Sequence, residues 1–501
     1  MNLPTSMPPL AAIDMGSNSF RLEIAEVQQD GRYKRIEYLK ETVRLGAGLD
    51  ADGMLTEAAM QRGLDCLRRF AQRLTGFAPQ HVRAVATQTL REARNRNAFL
   101  LRAQEALGFP IEVISGREEA RLIFAGVARL QPSAEKRLVI DIGGRSTEMI
   151  LGKARRPLAA ESFQVGSVGL SMRFFPEGRF TAEAFRAAQV AAGAELEEGF
   201  SLFRPELWKH ALGSSGTVGA VAQILAATGV TDGRITPDAL RWCIAQCIEA
   251  GHMDKLDLPG LKEDRRAVVG GGLCILYTLL TQFGIDELLP AKGALRQGVI
   301  FDLVERLAGT AGFGAAIADM REASVATLQR RFGVDLAQAR RVRSLAGELH
   351  GQLAGRVPRE IQRELGWAAD LHEMGMMVSH HDHHRHSAYL VAHVDAPGFS
   401  QSQQQRVGEL VLGQRGGLRK LERQLGDETF LWQTLALRLA VICNHARADL
   451  DTTALRLRRT GRHLQLSLPR LWPSQQPRAV FLLGEEAQAW ARNGGLEIEI
   501  A

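Results

Sequence analysis

The sequence contains few cysteines, and their placement offers neither a disulfide framework nor a zinc site. Five cysteines are scattered among apolar segments, and the closest two are Cys243 and Cys247. A zinc ribbon needs two close pairs and a disulfide scaffold needs a denser set, so both classes are excluded. Buried free thiols are typical of a reducing compartment.

The sequence also lacks a long uninterrupted apolar run. Its most apolar segment, residues 267–285 (AVVGGGLCILYTLLTQFGI), contains four glycines and is followed by Asp286. We expect a buried helix there and not a membrane span. The first ten residues show no basic start followed by an apolar core, so we expect no secretory signal and a cytoplasmic location.

An acidic excess is absent as well. The chain carries 62 Lys and Arg against 56 Asp and Glu, a formal net charge of +6, and most of its basic residues are arginine. Guanidinium groups hold phosphate oxygens in pairs, so this balance suits a polyanionic partner. Arginine-rich genome composition explains it equally well, and nothing indicates nucleic acid as the principal substrate.

Polar turns interrupt the apolar strands at two similar places. Residues 12–27 (AIDMGSNSFRLEIAEV) and residues 137–152 (RLVIDIGGRSTEMILG) each end a strand in an aspartate, Asp14 or Asp141, followed by glycine and hydroxyl residues. Such turns present backbone N–H groups to phosphate, and the adjacent carboxylate suits Mg²⁺. One such turn is more simply a structural β-turn. Two of them, with a third turn at residues 213–217 (GSSGT), predict a duplicated fold around a phosphate cleft.

A candidate base follows the strand near residue 111. The segment ISGREEARLIFAGV places Glu118 and Glu119 at the start of a helix. Acidic residues there also complement the helix dipole without any catalytic role. Because the pair lies between the two turns in the sequence, we expect one carboxylate to face the cleft and accept a proton from water.

The order of elements predicts an α/β protein with several domains. We expect a first α/β domain over residues 1–125, completed by residues of about 300–310, and a second over 126–299. An α-helical domain is expected over residues 311–450. A small α/β cap is expected over 451–501, with RAVFLLGE as one of its strands.

Six ordered motifs carry a resemblance that covers roughly residues 10–305. They are DMGSNSFRL, TLREARNR, ISGREEARLIF, DIGGRSTE, GSSGT and GALRQGV. Together they resemble the exopolyphosphatase and guanosine pentaphosphate phosphatase family. The resemblance implies two actin-like (RNase H-like) domains around a cleft. Three later segments, ADLHEMG, HRHSAYLVAH and PGFSQSQQQ, look like the helical HD-type domain of the long exopolyphosphatases.

The resemblance also implies roles for individual residues. Glu119 would be the base, and Asp141 would bind Mg²⁺ (with Mn²⁺ as the alternative) or orient the water. Glu148 and Asp14 would complete the acidic metal shell. The implied phosphate-binding residues are Gly16, Ser17, Asn18, Ser19, Arg91, Gly143, Gly144, Arg145, Ser146, Thr147, Ser215, Gly216 and Thr217.

The implied function is release of orthophosphate from the ends of inorganic polyphosphate. The alternative within the family is a guanosine pentaphosphate (pppGpp) 5′-phosphatase. More distant alternatives are a kinase or ATPase of the same fold and a non-catalytic sensor of pppGpp or ppGpp. Long members of the family suggest a homodimer.

Two positions depart from the expected pattern. Arg145 stands where the family motif has a third glycine, so it either adds a guanidinium to the cleft rim or points to solvent. The HD-type metal site has His372 and Glu373 in place of a His-Asp pair. For the histidines of residues 380–386 we therefore expect a structural or polyanion-contacting role, with metal binding as the alternative.

Overall fold

The structure is a computed structural model that describes residues 8–28, 31–311, 319–355, 357–448 and 455–501. The first seven residues, which belong to the segment where no secretory signal is expected, lie outside this range, as does the expected boundary at residue 451. The chain divides into two compact units between Asp319 and Met320. No described helix is long and apolar enough to cross a membrane.

The first unit contains two five-stranded sheets with the same topology. The first sheet has the order β3-β2-β1-β4-β5 and the second the order β8-β7-β6-β9-β10. In both, an antiparallel three-stranded meander is extended by two parallel strands. This repetition confirms the duplicated α/β fold. The strands are β1 Leu10–Met15, β2 Phe20–Val27, β3 Tyr33–Glu41, β4 Val82–Ala86, β5 Ile111–Val113, β6 Lys136–Ile142, β7 Thr147–Lys153, β8 Arg156–Phe163, β9 His210–Gly213 and β10 Leu288–Pro290.

Helices surround both sheets. Thr56 caps the first of them by accepting a hydrogen bond from the backbone N–H of Ala59, as the sequence predicts. The apolar segment 267–285 forms a buried helix, as expected. The helices are α1 Glu57–Arg73, α2 Gln88–Glu92, α3 Arg96–Leu107, α4 Gly116–Leu130, α5 Ser167–Phe174, α6 Ala182–Leu196, α7 Gly216–Ala227, α8 Pro237–Ala250, α9 Glu263–Arg266, α10 Val269–Gln282 and α11 Leu295–Ala311.

Helices α4 and α11 fill the space between the sheets. A single apolar cluster joins residues of both helices to β1, β2 and β4 of the first sheet and to β6, β7 and β9 of the second. The helices approach with their backbones in contact, since a Cβ atom on Gly298 would lie 1.8 Å from the carbonyl oxygen of Leu122. Glycine is therefore required at this crossing, which fixes the two halves of the unit against each other.

The second unit is helical, with a small sheet near its end. One apolar core joins the helices and the sheet. The sheet has the order β11-β12-β13. The helices and strands of the second unit are α12 Met320–Arg331, α13 Leu336–Ala354, α14 Arg359–Leu371, α15 His383–His393, α16 Gln401–Gly413, α17 Glu428–Cys443, β11 Arg456–Thr460, β12 His463–Ser467, α18 Trp472–Gln475, α19 Pro477–Asn493 and β13 Glu497–Ile500.

One predicted strand of this unit is wrong. The segment RAVFLLGE is the first half of α19. Proline at the first helical position suits a helix start, and the buried residues Ala479, Leu483, Glu486 and Trp490 recur at helical spacing. A short apolar run does not distinguish a strand from a buried helix, and here the helical face decides.

Candidate active site

The turn between β1 and β2 is a tight corner lined with hydrogen-bond donors. A Cβ atom on Gly16 would lie 3.1 Å from the carbonyl oxygen of Ser19, so the chain folds closely on itself. The side-chain nitrogen of Asn18 and the hydroxyl of Ser19 are buried and have no partner among the described residues. Buried donors without acceptors are costly, so this corner suits an anion that would accept from them.

The turn between β6 and β7 repeats this geometry. A Cβ atom on Gly143 would lie 3.0 Å from the carbonyl oxygen of Ser146, nearly the same spacing as in the first turn. The two turns also touch, because a Cβ atom on Gly144 would lie 3.2 Å from the Cβ of Ser17. The duplicated corners therefore face each other, as the sequence predicts.

The third turn forms the N-terminus of α7. The hydroxyl of Ser215 caps the helix by accepting from the backbone N–H of Val218. The hydroxyl of Thr217 donates to the carbonyl oxygen of Ile142 at 3.1 Å, which ties this turn to the end of β6. The N-terminus of a helix attracts anions through its free N–H groups and its dipole.

All three turns open onto one cleft of about 520 Å³. Most of the predicted site residues line it, among them the carboxylates Asp14, Glu119 and Asp141. Four predicted residues stand behind this lining: Arg91, Arg145, Thr147 and Glu148. The lining members of the predicted set are Asp14, Gly16, Ser17, Asn18, Ser19, Glu119, Asp141, Gly143, Gly144, Ser146, Ser215, Gly216 and Thr217.

Glu119 is held by the residues behind it. It lies in the first turn of α4, and Arg91 Nη1 donates to its Oε2 at 2.8 Å. Burial raises the pKa of Glu119, while the charge of Arg91 opposes the rise. A carboxylate with a raised pKa is a stronger base and so a better acceptor for the proton of a water molecule.

Asp141, the aspartate of the second turn, lies near other carboxylates, and its pKa is raised. Burial, and then the charge of Glu119, raise its pKa to about 7. Its neighbour across the β6–β7 ladder is Glu148, which is buried, accepts a hydrogen bond from Ser162 at 2.8 Å and also has a raised pKa because of burial. Two carboxylates opposite each other without a cation are unfavourable, so this half of the cleft suits a metal ion.

Asp14 occupies the equivalent position of the first sheet, but its charge is already balanced. Arg21, its neighbour across the β1–β2 ladder, donates to Asp14 Oδ2 at 3.0 Å. Arg296 Nη1 lies 3.6 Å from the same oxygen. The duplicated aspartates therefore differ in their neighbours: Asp14 faces arginine and Asp141 faces glutamate.

Two family models match this chain. The Ppx/GppA phosphatase family matches residues 24–307, and domain III of the same phosphatases matches residues 320–487. The chain belongs to the Ppx/GppA phosphatase family.

Several solved structures of this family resemble the chain. An exopolyphosphatase from Cytophaga hutchinsonii is 26% identical with a TM-score of 0.54, over 60% of this chain and 98% of that chain. An exopolyphosphatase-like protein is 26% identical with a TM-score of 0.55, over 60% of this chain and 99% of that chain. The Ppx/GppA family member from Aquifex aeolicus is 25% identical with a TM-score of 0.50, over 60% of this chain and 99% of that chain.

The Ppx/GppA motifs do not reveal how basic this cleft is. Seven basic side chains line it against three carboxylates. Arg296 is fixed by the fully buried Glu23, which accepts from its Nε at 3.1 Å and from Gln297 at 2.7 Å. Only Arg21 and Arg296 stand inside motifs, and no sequence signal marks the others as neighbours. The basic residues are Arg21, Arg35, Lys40, Lys262, Arg265, Lys292 and Arg296.

The four predicted residues behind the lining have partners of their own. Thr147 is fully buried and its hydroxyl donates to the carbonyl oxygen of Val165 at 2.6 Å. Arg91 contacts Glu119, and Glu148 contacts Ser162. Arg145 Nε donates to Glu92 Oε2 at 2.9 Å. Phosphate binding by Thr147, Arg91 and Arg145 stays a prediction, and the structure has these side chains engaged with protein groups.

In the HD-like site of the second unit, arginine side chains contact the acid Glu373 and the histidine His383. Arg447 forms an ion pair with Glu373, and Arg415 Nη1 lies 3.1 Å from His383 Nε2. Burial lowers the pKa of His372 and of His383 to about 4. Within the described ranges, no group of three or more His, Cys, Asp or Glu side chains could hold a metal ion.

Proposed function

We propose that this chain is an exopolyphosphatase, which hydrolyses the terminal phosphoanhydride bond of inorganic polyphosphate and releases orthophosphate. The observation that carries the proposal is the pair of facing turns with a buried glutamate, Glu119, on the helix beside them. The turns supply N–H and hydroxyl donors on two sides, as a terminal phosphate group requires.

The reaction needs little from the protein besides position and charge. The oxygen of a water molecule attacks the terminal phosphorus in line with the bond to the next phosphate, and that bond breaks. Glu119 accepts the proton of the water, and Arg91 holds the Glu119 carboxylate while it does so. The donors of Asn18, Ser19 and the second turn hold the terminal oxygens.

Magnesium is part of the proposal, and the donor set fits it. The cleft offers oxygen ligands, and Asp141 lies opposite the carboxylate of Glu148, with its pKa raised to about 7 by burial and by the charge of Glu119. Mg²⁺ is typically bound by one or two carboxylates, completed by water and phosphate oxygens, so a preformed cage is not needed. Asp141 would be the principal ligand, with Asp14 and Glu148 completing the acidic shell. When bound, the ion would neutralise the charge that develops on the phosphate oxygens.

The lining favours a long polyanion over a nucleotide. The basic lining residues come from both halves of the unit, whereas Tyr38 is the one aromatic ring among the described lining residues. Its ring already carries the guanidinium groups of Arg35 and Arg296, at 5.6 and 5.1 Å from its centroid. A guanine base would therefore have no free aromatic ring to stack on, while a chain of phosphates would meet several basic side chains.

The decisive experiment measures phosphate release by the purified protein with Mg²⁺ from long-chain polyphosphate, pppGpp and ATP. We expect release from polyphosphate, and a loss of about 10²-fold or more in Glu119→Gln, which keeps the size of the side chain and removes the base. Release from pppGpp alone would replace the proposal by the pentaphosphatase alternative. Release from ATP alone, or full activity in Glu119→Gln, would contradict the proposed site.

A further inference from the structure

Arg145 connects the second turn to the first half of the unit. It lies between Gly144 and Ser146, yet its guanidinium reaches across to α2 and to the loop after β3. Its Nε donates to Glu92 Oε2 at 2.9 Å, and its Nη1 donates to the carbonyl oxygen of Gly46 at 3.3 Å. A glycine at this position, as in the expected motif, could make neither contact.

Glu92 links Arg145 to the side chains that hold Glu119, the proposed base. Its other oxygen, Oε1, accepts from Gln88 Nε2 at 2.6 Å. Gln88 Oε1 accepts from Arg91 Nε at 2.8 Å, and Arg91 Nη1 donates to Glu119 Oε2 at 2.8 Å. An unbroken hydrogen-bonded chain therefore runs from Arg145 to Glu119. We call these five residues the Arg145–Glu119 chain.

The middle of this chain has a single consistent arrangement. Gln88 is 6% exposed, and the side chains of Arg91 and Glu119 are 11% and 10% exposed. If the Gln88 amide were reversed, its NH₂ group would face the Arg91 guanidinium and its oxygen would face the Glu92 carboxylate. Because both contacts would then be repulsive in a medium of low polarity, Glu92 and Arg91 together fix the amide. Arg91 is held by this amide and also by the carbonyl oxygen of Ile114, to which its Nη1 donates at 3.0 Å.

We propose that Arg145 is a positioning residue, which orients the base Glu119 through Glu92, Gln88 and Arg91 when the two turns lie against each other. This inference rests on the proposed function. Arg145 reaches the base through other side chains and lies outside the cleft lining. Because Arg145 lies in the second half of the unit and Glu92 in the first, the orientation of Glu119 would depend on the contact between the two halves.

The test is a double-mutant cycle on phosphate release from polyphosphate. We expect Arg145→Gly and Glu92→Gln each to lower kcat about tenfold, with KM changed less than about twofold, because the base is misplaced while the phosphate donors remain. The double variant should lose no more than either single variant, because both changes break the same chain. Arg145→Lys, which keeps the charge and loses the planar fork, should recover part of the rate.

Matched controls separate positioning from other effects. Arg155→Gly makes the same change at an exposed residue of the β7–β8 turn and should leave kcat and KM as in the wild type. Additive losses in the double variant, or a rise in KM with kcat unchanged, would overturn the inference.

A structural measurement keeps the inference testable if the wild type releases no phosphate from any substrate, which would refute the proposed function itself. Crystal structures of the wild type and of Arg145→Gly should then differ at the contact between Arg91 and Glu119. We expect Gln88 and Arg91 to change side-chain conformation in the variant. The same 2.8 Å contact in both structures would overturn the positioning role.

Discussion

Replacing Gly298 by alanine tests the crossing of α4 and α11, on which we expect both stability and activity to depend. The added Cβ would lie 1.8 Å from the carbonyl oxygen of Leu122 and 2.6 Å from its carbonyl carbon. No side-chain rotation relieves a contact with backbone atoms, so the helices must separate by about 1.5 Å at the crossing. Glu119 on α4 and Arg296 on α11 would move with them.

Two opposing effects determine how Gly298→Ala changes the free energy of unfolding. Glycine to alanine inside a helix normally stabilises by about 1 kcal/mol, whereas overpacking of a core costs about 1–3 kcal/mol and a backbone clash more. We expect a net loss of about 3 kcal/mol, which lowers the melting temperature of the first unit by about 6 °C. Thermal unfolding and phosphate release measured together give both consequences.

The control is the same substitution at Gly169 in α5, where an added Cβ meets no atom within 4 Å. Gly169→Ala should melt at or above the temperature of the wild type. If Gly298→Ala also melted at or above that temperature, the close approach of the two helices would be refuted.

Three further predictions follow from the charges of the cleft. Asp141→Asn should raise the Mg²⁺ concentration for half-maximal activity about tenfold or more, and Asp14→Asn should raise it less; equal shifts would contradict the different settings of the two aspartates. The pKa of Asp141 is raised from 3.8 to about 7 by burial, so the metal-free folded protein holds protons that the unfolded chain releases. Stability without Mg²⁺ should therefore fall as pH rises from about 4 to 7, and unfolding scans should show a weaker fall with Mg²⁺ present. Arg265→Ala should raise the KM for polyphosphate about tenfold and reduce its dependence on salt; an unchanged KM would exclude Arg265 from the substrate path.

Local patterns in the sequence predict a large part of the site. A strand that ends in aspartate and turns through glycine and hydroxyl residues has few alternative structures, so the corners at Gly16 and Gly143 are found where the sequence places them. Glu119 at the start of α4 follows from the strand-to-helix order in the same way. Each of these features depends on neighbours within a few residues, and such features are readable from one sequence.

Features that depend on residues far apart in the chain could not be predicted. Lys40, Lys262 and Lys292 meet in one cleft only because two sheets and the loops around them fold together. The motif containing Arg91 indicates a cation near phosphate, and the structure has its guanidinium on the carboxylate of Glu119. Periodicity also fails where a run is short, as in the first half of α19.

The two duplicated hairpins differ in charge, which accounts for a single proposed reaction centre in a repeated fold. Asp14 and Asp141 hold the same place in β1 and β6, and the sequence repeat alone treats them as equivalent. The strand that follows differs: Arg21 faces Asp14, and Glu148 faces Asp141. In the first half the charge of the aspartate is cancelled within the protein, so this turn can hold phosphate without repelling it. In the second half the buried Glu148 faces Asp141, and burial, followed by the charges of Glu119 and Asp141, raises the pKa of Glu148, so a cation there is favourable. We therefore assign the proposed Mg²⁺ to the second half of the cleft, with Glu119 beside it on the helix that joins the two halves.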